Sequence, residues 1–172
     1  MRVLGMEITS KEVNIALLEY QNGMFYMPEC RARKLTCRNT DTTSDLRYFQ
    51  KSVAKLVEDY KIDQIVIRER MKKGKFSGSA EGFKLEAVVQ LLTTCEVILM
   101  NPTVQGAILK KYPVGFSFAE TGLKKFQQPA FEVAFAQLSD PKGQVEQQRQ
   151  KEIAKRKQNR EAEAELDYDD ED

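Results

Sequence analysis

The stretch IDQIVIRERMKKGKFSGSAEGFKLEAVVQLL, residues 62–92, contains the pattern that decides the fold. Its first eight residues, 62–69, form a short apolar run rich in β-branched side chains, which is typical of a strand buried on both faces. A basic loop with several glycines follows, and apolar residues at helical spacing return over residues 79–94. The stretch therefore predicts a buried strand, a loop and a helix, an arrangement found in sheets covered by helices.

The segment before this stretch predicts strands joined by tight turns. Two β-rich runs within residues 3–20 flank a short polar turn, and Asn22-Gly23 follows them. Because Asn and Gly tolerate positive φ angles, this pair predicts a two-residue hairpin loop. A third strand is expected within residues 24–37, with Pro28 marking an edge, a bulge or a break.

Helical and strand patterns alternate through the rest of the body. Residues 42–60 place apolar side chains at helical spacing, and residues 97–100 are typical of a last short strand. Residues 103–138 predict helices interrupted by proline and glycine. Three meandering strands followed by alternating helices and strands predict an α/β fold, a mixed five-stranded sheet with flanking helices.

Composition divides the chain of 172 residues into a body and a tail. Residues 142–172 carry seven Lys/Arg and ten Asp/Glu, with few large apolar side chains, whereas the body keeps a net charge near +4. Such a segment buries too little apolar surface to offset its conformational entropy. We therefore predict one domain over residues 1–140, followed by a charged tail over residues 141–172 that is partly helical or disordered, with disorder from residue 161 onward.

Residue types that are rare or missing limit the kinds of catalytic and metal site that the chain can form. Histidine is absent, which excludes His-based triads, His general bases and His-containing zinc sites. Three cysteines, Cys30, Cys37 and Cys95, match no metal-binding spacing and are interpreted as reduced thiols. No membrane-length apolar run and no export signal are visible, so a cytoplasmic protein without membrane contact is expected.

Two glutamates lie where ligands bind in open α/β sheets. Alternation places Val3, Gly5 and Glu7 on one face of the first strand, and Glu69 ends the strand at residues 62–69. Both carboxylates thus lie at carboxyl ends of strands, where they can share Mg²⁺ or Mn²⁺ if the strands are neighbours. The alternative interpretation is that each is a solvated residue or an ion-pair partner, because Arg68 and Arg70 flank Glu69.

Two of these features together resemble a known superfamily. The Gly5-Met6-Glu7 end of the first strand and the phrase VIRERMKKGKFSGSAEGFKLEAVVQLL resemble the ribonuclease H-like fold, and within it the RuvC-type Holliday-junction resolvases. Residues 1–138 also resemble a small family of uncharacterised bacterial proteins of that superfamily, and the chain is identified as a member.

The resemblance implies a nuclease site in which carboxylates hold two cations. Glu7 takes the place of the usual aspartate of the first strand, and Glu69 matches the glutamate of the fourth. The resolvases carry two aspartates at the start of their last helix, where this chain offers only Glu132. The implied catalytic set is therefore Glu7, Glu69 and Glu132, with Glu7 and Glu69 as metal ligands, and this reduced set makes two-metal cleavage the weaker expectation. Glu86 and Glu120 are possible substitutes for the missing acids, but the fold does not predict metal ligands at their positions.

The segment of residues 68–84 is the most basic part of the body. Its glycines make a flexible loop, and Phe76 and Phe83 interleave with the charges, so phosphate contacts and base stacking are both available to it. The side chains predicted to contact DNA or RNA are Arg70, Lys72, Lys73 and Lys75. The alternative is an ordinary solvated loop whose phenylalanines enter the core.

Three functions stay open on the sequence. The first is a nucleic-acid-binding protein with a RuvC-like fold and a reduced acidic site. The second is an active Mg²⁺-dependent endonuclease, and the third is a non-catalytic adaptor whose tail binds a protein partner. The near-neutral isoelectric point of about 7.6 fits the adaptor best, since tight nucleic-acid binders usually carry a larger basic excess.

Overall fold

A computed structural model describes residues 1–75 and 77–169, with side chains described through residue 164. The strands are β1 Arg2–Ile8, β2 Glu12–Gln21, β3 Met24–Tyr26, β4 Lys34–Thr36, β5 Gln64–Arg68 and β6 Glu96–Met100. The helices are α1 Thr43–Tyr60, α2 Ala80–Gln90, α3 Pro102–Lys111, α4 Gln128–Ser139 and α5 Gln144–Asp169. Two 3-10 turns, Phe118–Thr121 and Lys125–Gln127, lie between α3 and α4.

The strands form a single mixed sheet in the order β3-β2-β1-β5-β6, with β4 also paired to β2. The pairs β1–β2 and β2–β3 are antiparallel, whereas β1–β5 and β5–β6 are parallel. Helices supply the crossover connections that parallel pairs require, because α1 precedes β5 and α2 lies between β5 and β6. The predicted α/β fold with a mixed sheet and flanking helices is confirmed.

The sheet has six strands because the predicted third strand is divided in two. β3 pairs with the end of β2 around Tyr20, and β4 pairs with the start of β2 around Val13. Pro28 lies between them, in the break that proline favours because it has no N–H to donate to a strand ladder. The hairpin turn before β3 forms at Asn22-Gly23 as predicted, with φ angles of 53° and 78°.

Helices cover both faces of the sheet. A hydrophobic core cluster joins Leu4 and Met6 of β1 and Ile67 of β5 to buried residues of α1 and α2. α4 packs on the other face, where Gly5 meets the backbone of Ala130 so closely that a Cβ at residue 5 would overlap the Ala130 carbonyl oxygen. The first strand therefore requires a glycine two residues before Glu7.

The chain divides into two compact units, Met1–Ser139 and Asp140–Asp172. In the second unit, both carboxylate oxygens of Asp140 accept backbone N–H groups of the first turn of α5, at 3.0 Å each, which caps the helix. α5 then continues to Asp169, past residue 161 where disorder was expected, and only residues 170–172 of that prediction lie outside the described part of the chain. Good helix formers and i,i+4 pairs such as Lys157–Glu161 favour this extension.

Candidate functional site

A cleft of about 270 Å³ opens at the carboxyl ends of β1 and β5. Charged side chains from both strands line it, together with the start of the loop that follows β5, and Gly78 and Pro102 complete the wall. We call it the edge cleft, and its charged residues are Glu7, Arg68, Glu69 and Arg70. Parallel neighbouring strands place such residues at one edge of the sheet, where α/β proteins bind ligands.

Glu7 is held by its neighbour on β2. The Asn14 side-chain amide donates to Glu7 Oε1 at 3.1 Å, and Asn14 is itself buried. The β1–β5 register pairs Gly5 with Val66 and Met6 with Ile67. Continuing that register pairs Glu7 with Arg68, so the side chain in phase with Glu7 on the neighbouring strand is a cation.

Glu69 stands in the opposite phase. Ile67 belongs to the core cluster on the α1 and α2 face, together with Met6, and Glu69 follows Ile67 by two residues. β5 ends at Arg68, however, so strand alternation no longer fixes the Glu69 side chain, and Glu69 lines the same cleft as Glu7. Its backbone N–H donates to the Met100 carbonyl at 2.9 Å, which ties the start of the loop to β6.

A third carboxylate, Glu86, lies behind the loop on α2. Its residue is only 7% exposed, and one carboxylate oxygen, Oε2, has no hydrogen-bond partner among the described residues. Burial raises the pKa of this carboxyl, and the Glu69 charge raises it further, while the Arg70 backbone N–H and the charges of Arg70 and Lys72 lower it. Glu86 is therefore a buried acid within electrostatic reach of the edge cleft.

Arg70 packs into the structure more than its sequence position suggested. Its Nε is buried without a hydrogen-bond partner in the described part of the chain, and the side chain lies against Gly78 and Gly82. A Cβ on either glycine would overlap the Arg70 side chain. Arg70 thus connects the loop to the first turn of α2 through packing contacts, and the N-cap of that helix is Ser79.

The lysines of the loop are exposed. The Gly78 N–H donates to the Met71 carbonyl at 2.7 Å and closes the base of the loop, so Lys72, Lys73 and Lys75 lie at its tip. Lys72 and Lys73 line a second cavity of about 420 Å³, which shares Glu69 and Arg70 with the edge cleft. Phe76, proposed as a stacking residue, lies outside the described residues.

Lys84, the last basic residue of the predicted segment, lies apart from this group. It is on α2, and its ammonium group forms an ion pair with Asp41 at 2.6 Å and donates to the Thr40 carbonyl at 3.3 Å. This cation lowers the pKa of the Asp41 carboxyl. Lys84 therefore links α2 to the segment before α1.

The described acids do not fit a two-metal set. Glu132, the predicted third acid, is on α4, where its Oε1 accepts the Gln128 amide at 3.2 Å, and it does not line the edge cleft. Among the described residues no group of three or more His, Cys, Asp or Glu side chains is placed to hold a metal ion. Two-metal catalysis needs several carboxylates around two closely spaced ions. Two glutamates flanked by Arg68 and Arg70 do not supply that set.

Residues 1–137 match the family described as Protein of unknown function (DUF3010). The chain belongs to that family. No curated protein sequence matches this DUF3010 chain.

Solved structures similar to the DUF3010 chain include RuvC from Thermus thermophilus, with a TM-score of 0.63 and 10% identity over 84% of this chain and 98% of that one. T. thermophilus RuvC in complex with a Holliday junction substrate aligns with a TM-score of 0.61 and 10% identity, over 82% of this chain and 95% of that one. The predicted ribonuclease H-like, RuvC-type fold is thereby confirmed. At this identity the similarity shows the fold alone, since one fold carries many functions.

The sequence pointed to some residues of the DUF3010 edge cleft and missed the importance of others. Arg68 was seen only as a neighbour of Glu69, yet the register places it beside Glu7. Glu86 was named only as a possible substitute acid, because its hydrogen bond with the Arg70 backbone is a tertiary contact that no local sequence pattern predicts. No helix in the described part of the chain is both long and apolar enough to cross a bilayer.

Proposed function

We propose that this protein binds the phosphate backbone of nucleic acid at the carboxyl edge of its sheet, and that its acidic site is too reduced for two-metal cleavage. One observation carries the proposal: the edge cleft and the cavity lined by Lys72 and Lys73 lie side by side, because Glu69 and Arg70 line both. Exposed lysines on a glycine-containing loop can reach phosphates without strain in the body of the domain.

The charges of the edge cleft also support binding without cleavage. In a two-metal nuclease the ions neutralise the carboxylates and the scissile phosphate together. Here Arg68 and Arg70 stand beside Glu7 and Glu69, so positive charge is already present without ions. The RuvC structure in complex with a Holliday junction makes branched DNA the first substrate to test.

The experiment measures binding by fluorescence anisotropy on single-stranded, duplex and four-way-junction oligonucleotides with 5′-hydroxyl ends. Wild type is compared with K72A/K73A, which removes two exposed loop cations, and with K151A/K155A, which removes two exposed cations of α5. We expect wild type and the α5 variant to bind alike and the loop variant to bind at least about tenfold more weakly, from two lost charge-assisted contacts.

Wild-type affinity weaker than about 10⁻⁴ M at physiological salt, the weak end of nonspecific binding, would contradict the proposal. The adaptor hypothesis, in which the tail binds a protein partner, would then be the one to pursue.

A second candidate is a Mg²⁺- or Mn²⁺-dependent endonuclease, and the observation that favours it is that Glu7 and Glu69 line one cavity. The resemblance assigns it Glu7, Glu69 and Glu132. The test incubates wild type and E7Q/E69Q with four-way junctions and either ion. We expect no cleavage above background, and cleavage by wild type that E7Q/E69Q abolishes would establish the nuclease instead.

A further inference from the structure

Apart from the edge cleft and the cavity beside it, a cleft of about 470 Å³ lies where α1 meets β4 and the segment before β4. Three exposed cations surround it, Arg31, Lys51 and Lys55, and we call it the cationic cleft. The half-buried Ala32 and Leu35 and the buried Leu56 give it an apolar floor. Its volume falls within the roughly 300–1,000 Å³ of small-molecule sites.

Helical spacing builds one wall of this cleft. Lys51, Lys55 and Asp59 follow one another at i,i+4 along α1, and Leu56 turns from the same side into the core. Two lysines at i,i+4 repel each other, which costs a helix roughly 0.2–0.5 kcal/mol. The repulsion is relieved on one side only, because Lys55 forms an ion pair with Asp59 at 3.1 Å.

Positive charge exceeds negative charge in the cationic cleft. Asp59 is shared, because Arg31 Nη1 also contacts its carboxylate, at 2.6 Å. Lys55 and Arg31 together lower the pKa of the Asp59 carboxyl, so it is ionised at neutral pH. Among residues whose side chains are described, no carboxylate lies within ion-pair distance of Lys51. Three cations therefore face one anion.

Arg31 is held in place before any ligand arrives. Its backbone N–H donates to the Tyr60 hydroxyl at 2.7 Å, and its guanidinium carbon lies 5.5 Å from the centroid of the Tyr60 ring. The Ser52 hydroxyl donates to the Tyr48 carbonyl at 2.9 Å, so its proton is already used within the helix. A fixed guanidinium loses little conformational freedom when it binds an anion, which favours binding.

We propose that the cationic cleft binds a phosphate monoester, with the phosphate group at Lys51 and Arg31 and an apolar or heterocyclic group on the Leu35 and Leu56 floor. A phosphate monoester carries about −1.5 to −2 charge at pH 7, which matches the excess of two cations. Two sources share this chemistry, a free nucleoside monophosphate and the 5′-terminal phosphate of a nucleic-acid strand. The site is separate from Lys72 and Lys73 and does not rest on the function proposed above.

The test titrates the full-length protein with adenosine monophosphate, adenosine and inorganic phosphate by calorimetry. A second arm compares two oligonucleotides of one sequence, one with a 5′-phosphate and one with a 5′-hydroxyl. The variant is K51A, which removes the unpaired cation, and the matched control is R47A, one helical turn earlier on α1, exposed and outside the cleft. Thermal unfolding of both variants checks that they fold as wild type does.

We expect saturable one-to-one binding of the monophosphate in the range of about 0.1–1 mM or tighter, and no binding of adenosine. K51A should weaken it about tenfold, as the loss of one charge-assisted contact predicts, and R47A by less than about twofold. A preference for the 5′-phosphorylated oligonucleotide that K51A removes would identify the strand end as the source. No saturation by either phosphate source below about 10 mM, or equal losses in K51A and R47A, would overturn the proposal.

Discussion

The edge cleft and the cationic cleft belong to the same body and balance their charges differently. In the edge cleft, Glu7 and Glu69 alternate with Arg68 and Arg70. Among the described residues, no acid lines the wall of the cationic cleft, and the Asp59 carboxylate is the one negative charge that offsets its three cations. Opposite charges within about 4 Å interact by several times more in a partly buried site than in bulk water.

The two clefts are therefore expected to hold anions at different places. Carboxylates repel phosphate, so nucleic acid is expected to bind at the adjoining cavity lined by Lys72 and Lys73, and not at the acidic floor of the edge cleft. The cationic cleft has no such internal competitor beyond Asp59, and a compact dianion fits it whole.

The edge cleft depends on a close approach that the cationic cleft does not need. Gly5 lies under the Ala130 backbone, so Gly5→Ala must displace α4 from the strand that carries Glu7. Overpacking a core usually costs about 1–3 kcal/mol, and a rigid carbonyl as the obstacle places this case at about 3 kcal/mol or more. We expect the thermal midpoint to fall by about 6–12 °C. K51A is the control, with a change under about 2 °C, and equal midpoints for the two variants would contradict the close packing.

Arg70 and Lys72, two basic residues at the start of the loop, should differ in how much each contributes to stability. Arg70→Ala should cost about 1–2 kcal/mol, because its buried stem packs on Gly78 and Gly82, whereas Lys72→Ala should stay within about 0.5 kcal/mol. Gly78→Ala should destabilise wild type and cost clearly less in the R70A background, since the overlap is then removed. Additive effects of R70A and G78A in chemical denaturation would show that the contact does not exist.

The buried acid behind the edge cleft predicts a pH dependence with a definite sign. Because burial raises the pKa of the Glu86 carboxyl, the folded state favours its protonated form, and that stability is lost as pH rises through the raised pKa. Glu86→Gln mimics the protonated form and lacks this loss. The stability of E86Q relative to wild type should therefore increase from pH 4 to pH 8.

The control for this titration is Glu81→Gln, on the exposed side of the same helix. The pH dependence of E86Q is compared with that of E81Q, which removes a carboxylate from the surface of the same helix. A difference between E86Q and wild type that shrinks with pH would mean that Arg70 and Lys72 outweigh burial at this position.

Local patterns predicted the fold because each strand, helix or turn has a recognisable residue pattern within a short stretch of the chain. The apolar run that became β5, the Asn22-Gly23 hairpin and the proline break at Pro28 all act within a short span of chain. The helical extension of α5 past residue 161 was not foreseen, because low apolar content predicts solvation and does not distinguish a solvated helix from a coil.

The clefts could be predicted only in part, for a related reason. Glu7 and Glu69 could be paired from the sequence because strand ends in α/β folds converge at one edge. The phase relation that sets Arg68 beside Glu7 depends on the β1–β5 register, and register is a property of the pairing. The cationic cleft brings Arg31, in the segment before β4, together with Lys51 of α1, and no short motif links residues so far apart.

The salt dependence of binding to a four-way junction tests directly whether nucleic acid binds at Lys72 and Lys73. Log affinity falls as log salt concentration rises, and each phosphate contact contributes about 0.7–0.9 to the steepness of that fall. K72A/K73A should therefore make the slope shallower by about 1.4–1.8. K151A/K155A should leave it within error of wild type. A loop variant with the wild-type slope and affinity would contradict the proposal, because nucleic acid would then bind elsewhere than at the cavity lined by Lys72 and Lys73.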